Sequence, residues 1–172
     1  MAEDANARFP PEPRASRLRL PPGYAEAATQ EAIVPWQHAE ERIEHARNYW
    51  LATTHPEGRP HVAPIWGVWV DGALYFDGIP TARWARNMAA NPAVVVHLES
   101  GDDVLIIEGV GEDVERVADA DLAARIVAAW DAKYGRAHPR PASDGIFRLR
   151  PRAARGWSRF PDDATRWRFP DA

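Results

Sequence analysis

Apolar and polar residues along this chain follow two periods, one typical of helices and one typical of strands. Between Pro35 and Arg47, the apolar residues Trp36, Ala39 and Ile43 recur at helical spacing, which predicts an amphipathic helix. Val117–Tyr134 repeats this spacing and predicts a second, longer helix. Shorter apolar-rich runs predict strands at Tyr49–Thr54, Pro60–Val70, Ala73–Asp77, Val94–Glu99, Val104–Arg116, Ile146–Phe160 and Thr165–Phe169.

Turn-forming residues between these runs indicate how the strands connect. Asp71-Gly72 is a strong two-residue hairpin signal. Gly109 and Gly111, both inside one predicted strand, indicate a bulge or a sharp bend. A Pro-Thr pair opens a short predicted helix at Thr81–Ala90. Strands joined by hairpins, with few helices, favour an antiparallel barrel or closed sheet over a layer of parallel strands.

The segment Pro60–Val70 is apolar on both of its faces, with His61 as the main exception. A strand with one wet face would alternate apolar and polar residues, so this one is expected to be buried on both sides. The core would cover one face, and a partner chain or a ligand would cover the other. The pattern therefore predicts a homodimer.

Composition narrows the class of protein. The 172 residues are 45% hydrophobic and 27% charged, which is enough for one globular domain with its own core. Residues 1–34 lack a sustained apolar period and are predicted to be a flexible arm, so the domain is expected to span 35–172. The net charge of −4 disfavours nucleic acid and anionic membranes as partners. With no cysteine, no apolar run of membrane-spanning length and no signal-peptide pattern, a cytoplasmic protein is expected.

The helix predicted at Thr81–Ala90 carries a candidate anion site. Arg83, Arg86 and Asn87 are spaced i, i+3 and i+4, which places them on one helix face beside the free N–H groups of the first turn. Such a helix start can hold a phosphate. The alternative is that both arginines only solvate a surface helix while Asn87 packs against a turn.

Eight tryptophans in so short a chain suggest a wall for a flat ligand, although most are expected to be core residues. Trp36, Trp50 and Trp130 are assigned to the core. The others considered fit either the core or the lining of a groove, namely Trp66, Trp84, Trp157 and Trp167. The segment from Arg148 to Arg168 contains seven arginines against two aspartates, which indicates a charged edge strand or a basic rim for an anionic substrate.

Several other chemistries are excluded by spacing. His61, His97 and Glu99 have no metal-ligand spacing, so no metal site is predicted. Gly109-Val-Gly111 lacks the third glycine of a dinucleotide fingerprint, and no nucleophile-elbow motif is present. No residue is singled out as a catalytic acid, base or nucleophile.

Several motifs in a fixed order carry a family resemblance. They are Tyr49-Trp-Leu-Ala-Thr53, Gly58-Arg-Pro-His-Val-Ala-Pro-Ile-Trp66, Asp71-Gly-Ala-Leu-Tyr-Phe76, Arg86-Asn87 with Asn91-Pro92, and Thr165-Arg-Trp-Arg-Phe169. Together they resemble the pyridoxamine 5'-phosphate oxidase-like split β-barrel family. The resemblance covers about Pro35 to Phe169. It implies a six-stranded antiparallel Greek-key barrel with flanking helices, mainly β within the α+β class, that dimerises around two cofactors.

The resemblance also implies which residues meet the cofactor. The backbone from His61 through Val62, Ala63 and Pro64 to Trp66 would meet the edge of a flavin or deazaflavin ring. The helix start would hold its phosphate, through Thr81, Arg83, Trp84, Arg86 and Asn87, and the groove would also be lined by Trp157 and Trp167. Many family members have Ser-x-Lys-x-Arg-Asn here, whereas this chain has Trp84 at the lysine position. Arg83 can supply that charge from the adjacent position.

The function implied is an oxidoreductase that binds FMN or the deazaflavin coenzyme F-420. It would transfer a hydride to or from a small conjugated substrate, and the choice between the two cofactors stays open. The alternative is a non-catalytic protein of the same fold that binds a flavin, a tetrapyrrole or another planar ligand. Trp84 favours the alternative, because an indole cannot pair with a phosphate.

Overall fold

Two strands, β7 (Val104–Val114) and β8 (Ile146–Trp157), form the longest ladder of this protein and run antiparallel to each other. The computed structural model describes residues 12–24, 32–135, 139–141 and 145–170. Within these ranges the other strands are β1 (Arg14–Arg17), β2 (Tyr49–Thr54), β3 (Pro60–Ile65), β4 (Gly67–Val70), β5 (Ala73–Phe76), β6 (Ala93–His97) and β9 (Thr165–Arg168). The helices there are α1 (Trp36–His45), α2 (Arg83–Ala90) and α3 (Ala120–Tyr134).

All the strand pairs are antiparallel, and most of them lie along one path, β1-β9-β8-β7-β6-β2-β3. β8 is long, and its first half pairs with β5 in addition to β7. β5 in turn pairs with β4. This confirms the α+β split-barrel class. The sheet is not closed, and its described part has nine strands instead of the six that the resemblance implied.

The opening in the sheet lies at Trp66, where the predicted strand Pro60–Val70 is divided in two. β3 pairs with β2, whereas β4 pairs with β5, so the backbone changes partner within one residue. Every residue of β4 is buried. β3 instead alternates, with Pro60, Val62 and Pro64 exposed and Val62 half accessible to solvent. In the single chain, burial on both faces therefore holds for β4 only.

The hydrophobic core has two parts. The larger lies inside the sheet and under α1 and α2, and includes Trp36, Tyr49, Leu51, Phe76, Val96, Ile107, Leu149 and Trp167. The smaller lies between α3 and the β4–β5 hairpin, and includes Val68, Tyr75, Ile126, Trp130 and Ile146. Trp36 and Trp130 are core residues as predicted. Trp50 is only half-buried, because the alternation of β2 places it on the outer face of the sheet opposite Pro64.

Local chemistry sets the ends of several elements. The β4–β5 turn has positive φ at both Asp71 and Gly72, the two-residue hairpin that the sequence predicts. α3 begins at Ala120, later than predicted, because the Asp119 carboxylate caps it by accepting from the N–H groups of Asp121 and Leu122. None of the helices in the described part of the chain is long and apolar enough to cross a membrane.

The β7–β8 ladder contains the irregularity that the paired glycines predict. Its register shifts between Glu108 and Gly109, which confirms a bulge, and the extra residue, Arg152, belongs to β8. β8 ends at Trp157, earlier than predicted. The Asp163 carboxylate accepts from the backbone N–H groups of Ser158 and Arg159 and turns the chain there.

Part of the segment expected to be a flexible arm is a strand of the sheet. β1 pairs with all four residues of β9, and the ladder continues in a bond from Leu18 N to Ala164 O of 2.8 Å. The sequence Arg-Ala-Ser-Arg carries no apolar alternation, so the edge of β9, and not a hydrophobic pattern, determines this pairing. Residues 1–11 and 25–31 of the arm lie outside the described residues.

Candidate functional site

The inner face of the sheet meets α2 at Thr53 and Asn87. Both side chains are buried, with exposed fractions of 3% and 0%. Asn87 Nδ2 donates to Thr53 Oγ1 over 3.1 Å, and this bond ties α2 to β2. Among the described residues, Asn87 Oδ1 is one of the buried side-chain atoms that have no hydrogen-bond partner. A buried amide with unused hydrogen-bonding capacity is costly, so it marks a place where a further polar group can bind.

Glycines allow α2 to lie this close to the sheet. Gly111 on β7 faces the Met88 side chain, and Gly78 faces the indole of Trp84. A Cβ at either glycine would overlap these side chains. The two glycines therefore fix the position of α2, and with it the position of Asn87.

Two histidines lie beside Thr53. His61 is directly opposite Thr53 in the β2–β3 pair, and its ring contacts the ring of His55 edge-on, with centroids 5.9 Å apart. Burial lowers the pKa of His55, and the neighbouring Arg59, Arg83 and His61 lower it further, while Glu57 raises it. His55 is therefore a neutral imidazole at pH 7, able to donate one hydrogen bond and to accept another.

Arg83 is exposed at the first turn of α2, close enough to lower the pKa of His55. The N-cap residue, Ala82, has no side-chain cap, and the first turn of α2 contains no acidic residue. The N–H groups of this turn and the positive end of the helix dipole are thus left to bind an anion. Arg86 is exposed on the same helix, and Thr81 is exposed in the loop just before it. We call the group Thr53, His55, His61, Arg83 and Asn87 the α2 cluster.

The other residues predicted to line the site lie in different parts of the structure. Ala63 lies on the inner face with His61, whereas Val62 and Pro64 lie on the outer face. Trp66 stacks on Tyr134 of α3, with ring centroids 4.7 Å apart and the planes nearly parallel. Trp157 is half-buried near Phe160, at the far end of β8.

Two of the predicted groove tryptophans are core residues. Trp84 is 8% exposed and packs edge-on against Phe147, with centroids 4.7 Å apart. Trp167 is 1% exposed and donates its indole N–H to Val34 O over 3.1 Å. The Trp84 side chain is therefore part of the hydrophobic core.

Sequence reasoning missed Thr53 and His55. The signal for His55 is its position at the start of the Pro-Glu-Gly turn after β2. The backbone N–H of His55 donates to Arg59 O over 2.8 Å, which closes this turn. The alternation of β2 carries the signal for Thr53, which shares an inner face with Tyr49 and Leu51. In the described ranges, no group of three or more histidine, aspartate or glutamate side chains could hold a metal ion.

A second polar arrangement that the sequence did not indicate lies between α1 and α3. Lys133 Nζ donates to Ala46 O (3.0 Å), Tyr49 Oη (2.8 Å) and Gly67 O (3.3 Å). Burial lowers the pKa of Lys133 to about 8. Lys133 also lines an open cavity of about 650 Å³, which is separate from the α2 cluster. Because all three donors of the ammonium bind atoms of this chain, we assign it a structural role that ties α3 to the sheet.

The pyridoxamine 5'-phosphate oxidase family model matches residues 35–158, which is well over half of the chain. The chain belongs to this family. The match includes the whole of the α2 cluster, and it ends before β9. No curated protein matches the sequence.

Several solved structures share this fold. An F-420 reductase is 27% identical, with a TM-score of 0.51, and the match covers 78% of this chain and 98% of that one. The heme storage protein HutZ from Vibrio cholerae is 25% identical, with a TM-score of 0.51 and coverage of 67% and 88%. A conserved hypothetical protein from Mycobacterium tuberculosis is 22% identical, with a TM-score of 0.58 and coverage of 76% and 88%.

Proposed function

We propose that this protein is an oxidoreductase that uses FMN or coenzyme F-420 to transfer a hydride to or from a small conjugated substrate. Membership of the pyridoxamine 5'-phosphate oxidase family supports the reaction class. The likeness to an F-420 reductase keeps the deazaflavin beside FMN as a cofactor. The observation that carries the proposal is the α2 cluster.

The α2 cluster fits the phosphate end of such a cofactor. Arg83 and the uncapped first turn of α2 supply positive charge with no acid in that turn to compete for it. Asn87 offers a buried amide with an unused hydrogen-bonding atom beside Thr53. His55, neutral and partly enclosed, can donate to a phosphate oxygen without a further charge. The residues that would hold the phosphate are therefore Arg83, His55 and the first-turn N–H groups, with Arg86 adding charge nearby.

Once bound, the isoalloxazine or deazaflavin ring supplies the hydride chemistry itself. The chain then has to bind, orient and shield the ring, and it needs no dedicated acid–base pair at the α2 cluster. Ala63 lies on the inner face beside His61 of this cluster, and the backbone of these residues is the segment that would follow the ring edge.

We propose that the protein is a homodimer and that the outer face of β2, β3, β6 and the start of β7 is the interface. Val62 and Pro64 are exposed there, with Trp50, Val95 and Ile106 half-buried beside them. Burial of this apolar face against a second copy would remove it from water. Light scattering at low micromolar concentration should give twice the monomer mass, and a monomer would contradict the interface.

A second candidate function is non-catalytic binding of a planar ligand such as a tetrapyrrole. The observation in its favour is the pair of neighbouring imidazoles, His55 and His61, because neutral imidazole is a common ligand of metals held in such rings. The likeness to the heme storage protein HutZ agrees with this candidate.

One series of measurements tests both functions. The absorption spectrum of the freshly purified protein is recorded first, and tryptophan fluorescence is then titrated with FMN, F-420 and hemin. Arg83→Gln should weaken FMN or F-420 binding by about one to two decades, since a hydrogen bond to a charged group contributes roughly 1.5–3 kcal/mol. Arg116→Gln, an exposed arginine after β7, is the matched control.

The outcomes separate the candidates. Reduction of a dye or an enone by the protein with a reduced cofactor supports the oxidoreductase. Binding of hemin that is lost in His55→Ala, without any reductase activity, supports the storage or sensing function. If the parent binds none of the three ligands, or Arg83→Gln binds them as the parent does, the α2 cluster is not a cofactor site.

A further inference from the structure

A groove lined by arginines lies at the other end of the sheet from the α2 cluster. It is an open cavity of about 500 Å³ between β1, β9 and β8. Its lining residues in the described part of the chain are Ser16, Arg17, Leu18, Arg19, Arg155, Arg166 and Arg168, which include five arginines and no acid. We call it the arginine groove. Its volume lies in the range of small-molecule sites.

The register of the strands concentrates positive charge in this groove and at its rim, where Arg14 lies. Arg166 lies directly opposite Arg155 on one side, and Arg168 lies directly opposite Arg14 on the other. Like charges in directly opposed positions of an antiparallel pair destabilise the sheet. If charged residues on an edge strand served only to keep it soluble, they could be acidic, basic or an alternation of both. This arrangement instead keeps one sign together at a cost in stability.

At least two of the five arginines have partners within the described residues. Arg155 pairs with Glu108 across the β7–β8 ladder, and Arg17 donates to the backbone oxygen of Asp162. Among the described residues, Arg19, Arg166 and Arg168 form no ion pair. The groove therefore holds at least three guanidinium groups that no carboxylate of the described residues pairs, in a protein whose net charge is −4.

The groove is a property of this chain beyond the family match. The family model covers residues 35–158, whereas Arg17, Arg19, Arg166 and Arg168 all lie outside that range. Arg17 and Arg19 are present in the groove because β1 pairs with β9. The pairing of β1 with β9 thus brings these two arginines to the groove.

We propose that the arginine groove binds a small oligoanion, that is, an elongated molecule with two or more phosphate or carboxylate groups. Guanidinium groups bind both kinds of oxyanion through paired hydrogen bonds, and several of them in a row favour several charges over one. The ligand would relieve the repulsion between the opposed arginines. This inference does not depend on the proposed oxidoreductase function.

Isothermal titration of the full chain at low ionic strength tests the proposal, with inorganic tripolyphosphate and a triglutamate peptide as probes. We expect saturable binding of at least one probe, weaker binding of inorganic monophosphate, and a loss of affinity as salt is added. Binding of tripolyphosphate alone would identify a phosphate chain as the ligand, and binding of triglutamate alone would identify a carboxylate chain.

Single variants locate the binding. Arg166→Gln and Arg168→Gln should each weaken it by about tenfold or more. Arg116→Gln removes one exposed arginine near the opposite end of the β7–β8 ladder and should leave it unchanged. Both groove variants should unfold at the same temperature as the parent or above it, because each removes a like-charge contact.

Three results would overturn the proposal. The first is that neither probe binds the parent protein. The second is that Arg116→Gln weakens binding as much as the groove variants do, which would mean that only total charge matters. The third is that Arg83→Gln abolishes binding while Arg166→Gln and Arg168→Gln do not, which would assign the anion to the α2 cluster.

Discussion

Asn87 Nδ2 and Thr53 Oγ1 form a buried hydrogen bond of 3.1 Å that joins α2 to the inner face of β2. This bond positions the first turn of α2, and Arg83 with it, over the end of the β2–β3 pair. Because both side chains are buried, loss of one partner leaves the other unsatisfied in the interior.

The first prediction concerns this bond. Thr53→Val keeps the shape of the side chain and removes the hydroxyl, and it should lower the free energy of unfolding by about 1–3 kcal/mol. Thr53→Ser keeps the hydroxyl and should cost less. Urea denaturation measures both, with Thr54→Val on the half-buried outer face as the control. Equal effects of Thr53→Val and Thr54→Val would show that the bond contributes nothing.

The second prediction concerns the electrostatics of the α2 cluster. Arg83 lowers the pKa of His55 and Glu57 raises it, so Arg83→Gln should raise this pKa and Glu57→Gln should lower it. An NMR titration of the His55 ring protons follows both changes. A pKa of His55 that does not respond to Arg83→Gln would place Arg83 away from the cluster. A phosphate-bearing ligand bound beside His55 should raise the pKa, because an anion favours the imidazolium.

The third prediction concerns Trp84. If this residue lined the groove, Trp84→Lys would restore a phosphate ligand and tighten cofactor binding. The structure packs it against Phe76 and Phe147, so we expect Trp84→Lys to destabilise the fold by roughly 3–5 kcal/mol without a gain in affinity. Trp84→Phe keeps an apolar ring and should cost much less. Thermal unfolding and an FMN titration of each variant show whether Trp84 lies in the core or lines the cofactor groove.

The fourth prediction concerns pH. The pKa of Lys133 is about 8 in the folded protein, against an ordinary 10.5, so the folded state binds fewer protons than the unfolded state between these values. Its contribution therefore makes the protein more stable as the pH rises from about 8 toward 10. Tyr49 and Tyr134, whose pKa values burial raises, act in the opposite direction above about pH 10.

Denaturation at pH 7.5 and at pH 9.5 measures this effect. The difference in stability between the two values should be smaller in Lys133→Met than in the parent, because the variant has no ammonium to discharge. An unchanged difference would show that Lys133 titrates normally.

The fifth prediction concerns β1. Deletion of residues 1–20 removes the strand that pairs with β9, together with the bond from Leu18 N to Ala164 O, and should lower the melting temperature by several degrees. In a protein of this size, each kcal/mol lost corresponds to about 2–4 °C. Deletion of residues 1–11 leaves β1 in place and is the control. If both deletions melt as the parent does, β1 adds no stability.

Sequence reasoning predicted the elements that local rules determine. The Asp71-Gly72 turn requires positive φ at both residues, and Trp36, Ala39 and Ile43 form the buried face of α1 at helical spacing. The family resemblance, carried by the order of several motifs, predicted the α+β split-barrel class. These features depend on neighbours a few residues apart, and the sequence displays such neighbours directly.

The features that were missed depend on partners distant in the chain. Pro60–Val70 is apolar throughout, so no pattern in it shows that the backbone changes partner at Trp66. β1 has no apolar alternation, and only the edge of β9 makes it a strand. The inward orientation of Trp84 follows from the absence of a side chain at Gly78, and the spacing within α2 alone could not indicate it.

The pairing of β1 with β9 has a consequence for how the chain is made. Ser16 and Arg166 are hydrogen-bonded across 150 positions of sequence, so β1 leaves the ribosome long before β9, the strand with which it pairs. During that interval its arginines keep it soluble, and the edge of β8 is uncovered where β9 will lie. The pairing of β1 therefore waits for the synthesis of β9, and a nascent chain stopped before β9 would carry both an unpaired basic strand and an uncovered edge of β8.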